Sequence, residues 1–496
     1  MAAPLVQPDD EHNRALVDNA HPVDWLAPVP TDRYNMVVIG GGTAGLVAAL
    51  GTAALGGRVA LVEKHLLGGD CLNFGCVPSK GVIANAHVAH TVRNAKRNGV
   101  RVDGFEVDFG AAMRRMRTQR AEISDADSAH RLKKDGVDVF LGEAKFTGPD
   151  TVEVNGVPLR FARACIATGA RAVQPPIPGL EEAGVRTNED IFDLTELPGR
   201  LIVIGAGPIG CEMAQSFARF GSEVTLVDLS DRILAVEEPE ASAILTEVFR
   251  EEGIDIRTST KVARFSVEGA DKVVHLETAD GATSVRGDEI LLAVGRAPNV
   301  QGLGLEKAGV PYDRHGVTVD AYLRTTNPRI YASGDVCSRY KFTHAADAMS
   351  RIVVQNALFF GRKRADALTI PWSTFTDPEV AHVGISRTEA DERDDVVTFV
   401  EAVHRNDRSL LEGETRGYVR VHTLKNGTIL GATVVGRHAG EIIAPLSLAI
   451  TNGLGLGAIN DTILPYPTRT EILKRVAGQW QRTKLTPFTA RLLETV

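Results

Sequence analysis

Cys71 and Cys76 lie in the segment GGDCLNFGCVPSK, Gly68 to Lys80. Two thiols this close can clip a metal, form a structural bridge or work as a reversible redox pair. A structural zinc takes four ligands, usually from two paired sets. Here there is one close cysteine pair, and the nearest histidines, His87 and His90, are spaced like ordinary helix residues. No metal-ligand set is assigned. In a regular helix, residues five apart have Cα atoms roughly 8.5 Å from one another. A disulfide needs them under about 7 Å. The pair can therefore close only across a distorted turn, which Asn73 and Gly75 are able to supply. A compressed bridge of this kind is the more reducible. Pro78 suits the first turn of a helix, and a helix starting near Cys76 favours its thiolate.

Just upstream is a pattern for holding phosphates. Gly40-x-Gly42-x-x-Gly45 follows an apolar strand, opens a small-residue helix, and is followed by a second strand, VALVE, ending on Glu63. The first glycine permits a tight turn, the second lets backbone approach a pyrophosphate, and the third allows close helix–strand packing. The phosphate then meets free N–H groups at the helix start, and Glu63 is placed for the ribose hydroxyls. A second copy, Gly205-x-Gly207-x-x-Gly210, ends on Asp228. Gly40 to Glu63 and Gly205 to Asp228 both span 23 positions, which marks an internal duplication. An acid at Asp228 favours a free 2′-hydroxyl and so NADH, while Arg232 keeps NADPH open. Two dinucleotide sites in one chain fit FAD in one and a nicotinamide in the other, with electrons passing between them.

The elements that must position these residues fit an α/β enzyme. The chain has 496 residues, 44% hydrophobic and 24% charged, with 48 glycines and a net charge of -8. That is an ordinary globular balance with many tight turns, and no basic block points to nucleic acid. Five cysteines are too few for a secreted disulfide scaffold. Cys165, Cys211 and Cys337 have apolar or turn neighbours and read as buried inert thiols. No signal peptide or membrane span is evident, so a cytoplasmic location is expected. Residues 1–33 read as an extended polar arm. After residue 370, alternating strands are followed by apolar helices, the order of an α+β domain.

The motifs GGDCLNFGCVPSK, IATGA, GAGPIGCE, VGRAPN, IYASGDV and FTDPEVAHVG together resemble the class I pyridine nucleotide–disulfide oxidoreductases over about residues 34–480. These flavoproteins include dihydrolipoamide dehydrogenase, glutathione reductase and mercuric reductase. The resemblance implies two Rossmann-like domains, for FAD (34–184 and 300–368) and NAD(P) (185–299), and an α+β dimerisation domain (369–496) that makes a homodimer. It implies that Cys71 is the interchange thiol and Cys76 the charge-transfer thiol. Lys80 and Glu212 would pair near the flavin, and Asp335 would bond its ribitol. His344, Gly169 and Gly295 would line the cofactor sites.

The C-terminal segment LPYPTRTEI departs from the thiol-handling relatives. Tyr466 stands where they carry a histidine acid–base, while Pro467 and Glu471 keep the family spacing. A phenol titrates near 10 against about 6.5 for imidazole, so Tyr466 is a poor proton shuttle near neutrality. Mercuric reductases share the tyrosine, but they end in a vicinal cysteine pair, and this chain ends TPFTARLLETV. Pro208 replaces the tyrosine that gates the nicotinamide pocket in many relatives. The expected activity is electron transfer from NAD(P)H through FAD and Cys71–Cys76 to a small disulfide, a metal ion or a quinone-like acceptor. The alternatives are a dihydrolipoamide dehydrogenase running toward NADH and a non-turnover redox sensor.

Overall fold

The computed structural model describes residues 6–359 and 361–485, and the TPFTARLLETV segment lies outside them. The chain divides into two compact units, 1–229 with 259–367, and 230–258 with 368–496.

In the first unit, strands Val137–Leu141, Val59–Glu63, Tyr34–Ile39 and the end of Val157–Ile166 run parallel, in that order. Ile330–Ala332 adds beside Ala164–Ile166, also parallel. The near-continuous Val/Ile/Leu runs of these strands suit a sheet buried on both faces. Their core draws on Val37, Ile39, Val62 and Ile166, and equally on Leu305, Val317 and Val336. The second βαβ copy repeats the plan. Arg200–Ile204 lies between Glu223–Val227 and Glu289–Leu292, parallel to both. A three-stranded antiparallel sheet, Lys261–Glu268, Asp271–Thr278 and Gly281–Gly287, accompanies it. This is the expected α/β fold with two Rossmann-like modules.

Part of the stretch read as an extended arm is helical instead. Glu11–Ala20 is a helix, because Asp10 caps its start by accepting the Asn13 N–H at 2.9 Å, and Asn13, Leu16 and Ala20 are buried on one face.

In the second unit, five antiparallel strands run in the order Trp372–Thr374, Glu379–Gly384, Ile429–Gly436, Tyr418–Leu424, Val396–Ala402. Helices Ala439–Thr451 and Ile472–Arg482 bury Ile442, Ile443, Leu446, Val476 and Trp480 against them. Residues 230–258, which sequence order places in the second nucleotide module, cluster with this sheet. Glu238 accepts from the Tyr418 hydroxyl at 2.6 Å, the Thr433 hydroxyl at 2.9 Å and the Arg420 guanidinium, and Glu237 accepts from the Trp372 indole at 2.7 Å. Buried carboxylates need such partners, so this acidic stretch stays with the sheet that supplies them. Among the described residues no helix is long and apolar enough to cross a membrane.

Candidate active site

The two glycine motifs fold alike. Gly40 and Gly205 both have φ +103°, and a Cβ on either would lie 2.4 Å from a carbonyl oxygen, of Ala167 or Ala293. A Cβ on Gly45 or Gly210 would lie 1.8 Å from the carbonyl oxygen of Gly40 or Gly205. The first and third glycines are thus required by the turn and the helix–strand packing. The helices that follow, Thr43–Ala54 and Pro208–Phe220, start at Gly42 and Gly207 with no side-chain cap. Their first-turn N–H groups are left for an anion, and a Cβ on Gly207 would meet only open space. Pro208 sits in the first turn, where its missing N–H is not needed.

The acids at the strand ends are tied to these turns. Glu63 accepts the N–H of Gly41 at 2.6 Å and of His65 at 2.7 Å, and Asp228 accepts the N–H of Ala206 at 2.5 Å. Burial raises the Glu63 carboxyl above its ordinary value. A carboxylate oxygen has two lone pairs, so an acid at this place can serve both the turn and a ribose hydroxyl. Both cradles therefore fit a dinucleotide. Arg232 is engaged within its own loop, by Asp231 at 3.2 Å and the Ala235 carbonyl at 2.8 Å.

Gly169 and Gly295, just beyond strands Val157–Ile166 and Glu289–Leu292, have φ +68° and +118°. They are stitched together, since Asn299 N–H donates to Gly169 O and Val173 N–H to Gly295 O, each at 3.0 Å. Asp335 lies in a short 3-10 turn and is raised by burial, with the Arg296 guanidinium 3.8 Å away. His344 stacks on Phe342 at 5.4 Å.

The thiol turn is an interrupted helix. Gly69–Asn73 forms one short helix and Cys76–Arg93 the next, with Gly75 at φ -125°, ψ -110° between them. Asn73 breaks the run by turning its amide back to donate to Leu67 O at 3.0 Å and Gly69 O at 2.8 Å. A Cβ on Gly75 would come 2.8 Å from an Asp70 carboxylate oxygen and 2.9 Å from its carbonyl oxygen. Across the break the two free thiols act on each other's titration. Hydrogen bonding from the Cys71 thiol draws Cys76 down to about 6, helped by the Thr343 hydroxyl 3.3 Å from its sulfur and by the Lys80 charge, with burial opposing. The start of the long helix favours the same thiolate. Cys71 is pushed up by the hydrogen bond to Cys76, then by burial and the Asp70 carboxylate. When the pair shares one proton, the negative charge sits on Cys76. Cys165 is fully buried and raised to about 12 by burial, and Cys211 is also buried; Cys337 is only half-buried.

Lys80 follows Cys76 by one helical turn and donates to Glu212 at 2.9 Å. The Glu212 side chain is only 5% exposed and needs this cation. Lys80→Met should lower thermal stability by about 2 kcal/mol, less than the roughly 3–5 of a fully buried broken pair because Lys80 is partly solvated. Adding Glu212→Gln should recover most of the loss in the same melting experiment.

In the C-terminal unit, Tyr466 is 72% exposed and donates to Asp407 at 2.9 Å. That hydrogen bond, with the Asp407 charge, raises the phenol above its ordinary value. Glu471 accepts from Asn406 at 3.4 Å and lies 3.7 Å from Arg475. Elsewhere in this unit Glu379, His438 and Glu441 bring ligand atoms within 4.8 Å of one another, but Glu379 accepts the Gly440 N–H at 2.9 Å and serves the helix start. Sequence reasoning missed Thr343, next to the residue it named, and Arg296, which reaches Asp70 at 3.2 Å beside Cys71.

The family model described as pyridine nucleotide-disulphide oxidoreductase matches residues 34–350, and the family's dimerisation-domain model matches 370–477. The dimerisation domain indicates a homodimer. A mercuric reductase of Bacillus cereus is 35% identical over 444 residues, 89% of this chain and 70% of that one. A dihydrolipoyl dehydrogenase of Chlamydia muridarum is 33% identical over 450 residues, 89% of this chain and 95% of that one. Among solved structures, the HOCl-induced flavoprotein disulfide reductase RclA from Escherichia coli has TM-score 0.81 at 30% identity, covering 90% of this chain and 99% of that one. Its Cu(II) complex has the same score and identity. With duplicated nucleotide cradles, a paired thiol turn and matches over most of its length, this chain belongs to the pyridine nucleotide–disulfide oxidoreductases, FAD-containing enzymes that work with NAD(P)H.

Proposed function

We propose that this chain is an NAD(P)H-dependent reductase whose Cys71–Cys76 pair delivers electrons to a thiophilic metal ion, with a small disulfide or a quinone-like compound as the lesser acceptors. The observation that supports the metal reading best is the state of Tyr466. Its phenol, held to Asp407, is raised and cannot take a proton near neutrality. Oxidising a dithiol needs a base for the incoming thiol, and reducing a disulfide needs an acid for the departing one. A soft metal ion brings no proton of its own and takes none: on binding it displaces the one proton the pair shares to solvent, and the two sulfurs then give it their electrons as the disulfide forms. The two electrons of one NAD(P)H suffice for one Hg(II) or two Cu(II). A cytoplasmic site of action and NADH in preference to NADPH belong to the same reading.

Lys80 and Glu212, in this reading, set the charge beside the flavin, and Asp335 and His344 line its site. When bound, FAD supplies the link between a two-electron hydride donor and the thiol pair. The test is an anaerobic titration with NADH and NADPH, followed by an acceptor panel of Hg(II), Cu(II), glutathione disulfide, lipoamide and a quinone. Sustained NAD(P)H oxidation with a metal ion is expected. Turnover with none of the metals would sink the proposal. Tyr466→His should raise lipoamide turnover about a hundredfold, the ordinary worth of a positioned acid–base. No gain would mean that the pocket itself excludes dithiols.

A further inference from the structure

The helix Glu11–Ala20 precedes the segment matched by the family model, which starts at residue 34. It is fastened to the thiol turn. Arg120 is 1% exposed and reaches two ways: it donates to the Asn73 carbonyl at 2.7 Å and to the Asn13 side-chain oxygen at 2.6 Å. Asn73 ends the short helix that carries Cys71, and Asn13, 2% exposed, lies in the N-terminal helix. The Leu67 N–H donates to Ala20 O at 3.0 Å, and the His21 ring meets the carbonyl of His65. Arg117 grips Asp10 at 2.6 Å, and Asn19 donates to Ser124 at 2.9 Å.

We propose that the N-terminal helix is a strap that, through Asn13 and Arg120, holds the turn between Cys71 and Cys76 in the interrupted form where the two sulfurs meet. The proposal rests on reading this pair as the working redox centre. The last carbonyls of a helix have no partner of their own, and Arg120 takes the one at Asn73. A turn released from Arg120 loses the anchor at its Asn73 carbonyl and can open, and two Cα atoms that move beyond about 7 Å are out of reach of a disulfide. The strap therefore favours the disulfide over the dithiol. In the dithiol it favours the thiol-to-thiolate hydrogen bond. Asn13 and Arg120 act through the turn and are positioning residues.

The test uses the full chain with its flavin, equilibrated anaerobically in glutathione buffers. One glutathione disulfide takes two electrons and two protons from the Cys71 and Cys76 thiols, giving two glutathiones and the protein disulfide. Acid trapping, alkylation and mass analysis read the ratio. Asn13→Leu, which removes an acceptor of Arg120, should lower the equilibrium constant for forming the disulfide about tenfold, a rise in potential of about 30 mV. The pH midpoint of the Cys76 thiolate absorbance should rise with it. Asn13→Asp keeps an acceptor and should stay within about twofold of the parent, and Asp10→Ala, which loosens the helix start, should give a drop of about threefold. An unchanged constant in Asn13→Leu at parental FAD content overturns the strap, as does failure of Asn13→Asp to restore it. If Asn13→Leu does not fold, an unchanged constant in Asp10→Ala overturns it instead. A parent chain that forms no Cys71–Cys76 disulfide at all overturns the reading of the site on which the strap rests.

Discussion

Cys76→Ser is expected to abolish the long-wavelength thiolate-to-flavin absorbance and to lower acceptor turnover at least about a thousandfold, the scale on which removal of a reacting group is felt. The reason lies in where the charge of the pair resides. Cys76 opens the helix Cys76–Arg93 and has Thr343 and Lys80 about it, and with the hydrogen bond from Cys71 it is drawn down to about 6. A serine hydroxyl in the same place stays neutral, so the anion that the absorbance needs is gone. Cys71→Ser should behave differently. On the proposed assignment it removes the thiol that meets the acceptor and stops turnover, yet leaves an ionisable sulfur at Cys76, so the absorbance persists. The parent band should fade as pH falls through about 6, because protonation of Cys76 removes the donor. In the Cys71→Ser variant the fade should shift to higher pH, since the first of the forces lowering Cys76 is the hydrogen bond from Cys71. Anaerobic spectra over a pH series and stopped-flow reduction by NAD(P)H measure both. A band that survives Cys76→Ser would reverse the roles of the two cysteines.

How much of this could be read from residues depends on the range of the forces involved. The glycine turns were legible because their geometry is local, and one spacing in two places gives one backbone. The break between Cys71 and Cys76 was legible for the same reason: a helix cannot close the pair, and Asn73 and Gly75 stand between them. The Lys80–Glu212 pair joins residues far apart in the chain, and only the family resemblance suggested it. The helix Glu11–Ala20 is hidden in the sequence because the prolines around it suggest an extended arm. Its signals, the Asp10 cap and the Asn13, Leu16, Ala20 face, are short. Its hold on the turn needs Arg120, which on sequence alone is one more charge on a polar helix. Glu237 and Glu238 fall by sequence order in the second module. Their partners Trp372, Tyr418, Arg420 and Thr433 come more than a hundred residues later, and burial against them overrides the order of the chain.

The duplication makes a paired substitution unusually informative. Gly45→Ala and Gly210→Ala place the same methyl 1.8 Å from the same kind of atom, the carbonyl oxygen of Gly40 or of Gly205. In each module the helix must move off its strand, and the first-turn N–H groups move with it, away from the pyrophosphate. The local strain is equal, so any difference in outcome reports what each module holds. With FAD in the first module, as the family resemblance implies, Gly45→Ala should purify colourless, with FAD occupancy lowered at least about tenfold, because the helix that would cradle its pyrophosphate shifts. Gly210→Ala should remain yellow and still show the thiolate band after chemical reduction. Its KM for NAD(P)H should rise at least about tenfold, because the matching cradle for the nicotinamide coenzyme is displaced. Absorbance at the flavin maximum and steady-state kinetics separate the two results, with circular dichroism to establish that both chains fold. A yellow Gly45→Ala beside a colourless Gly210→Ala would exchange the cofactors between the modules. It would also separate the flavin from Cys71 and Cys76, which follow Glu63 in the first module.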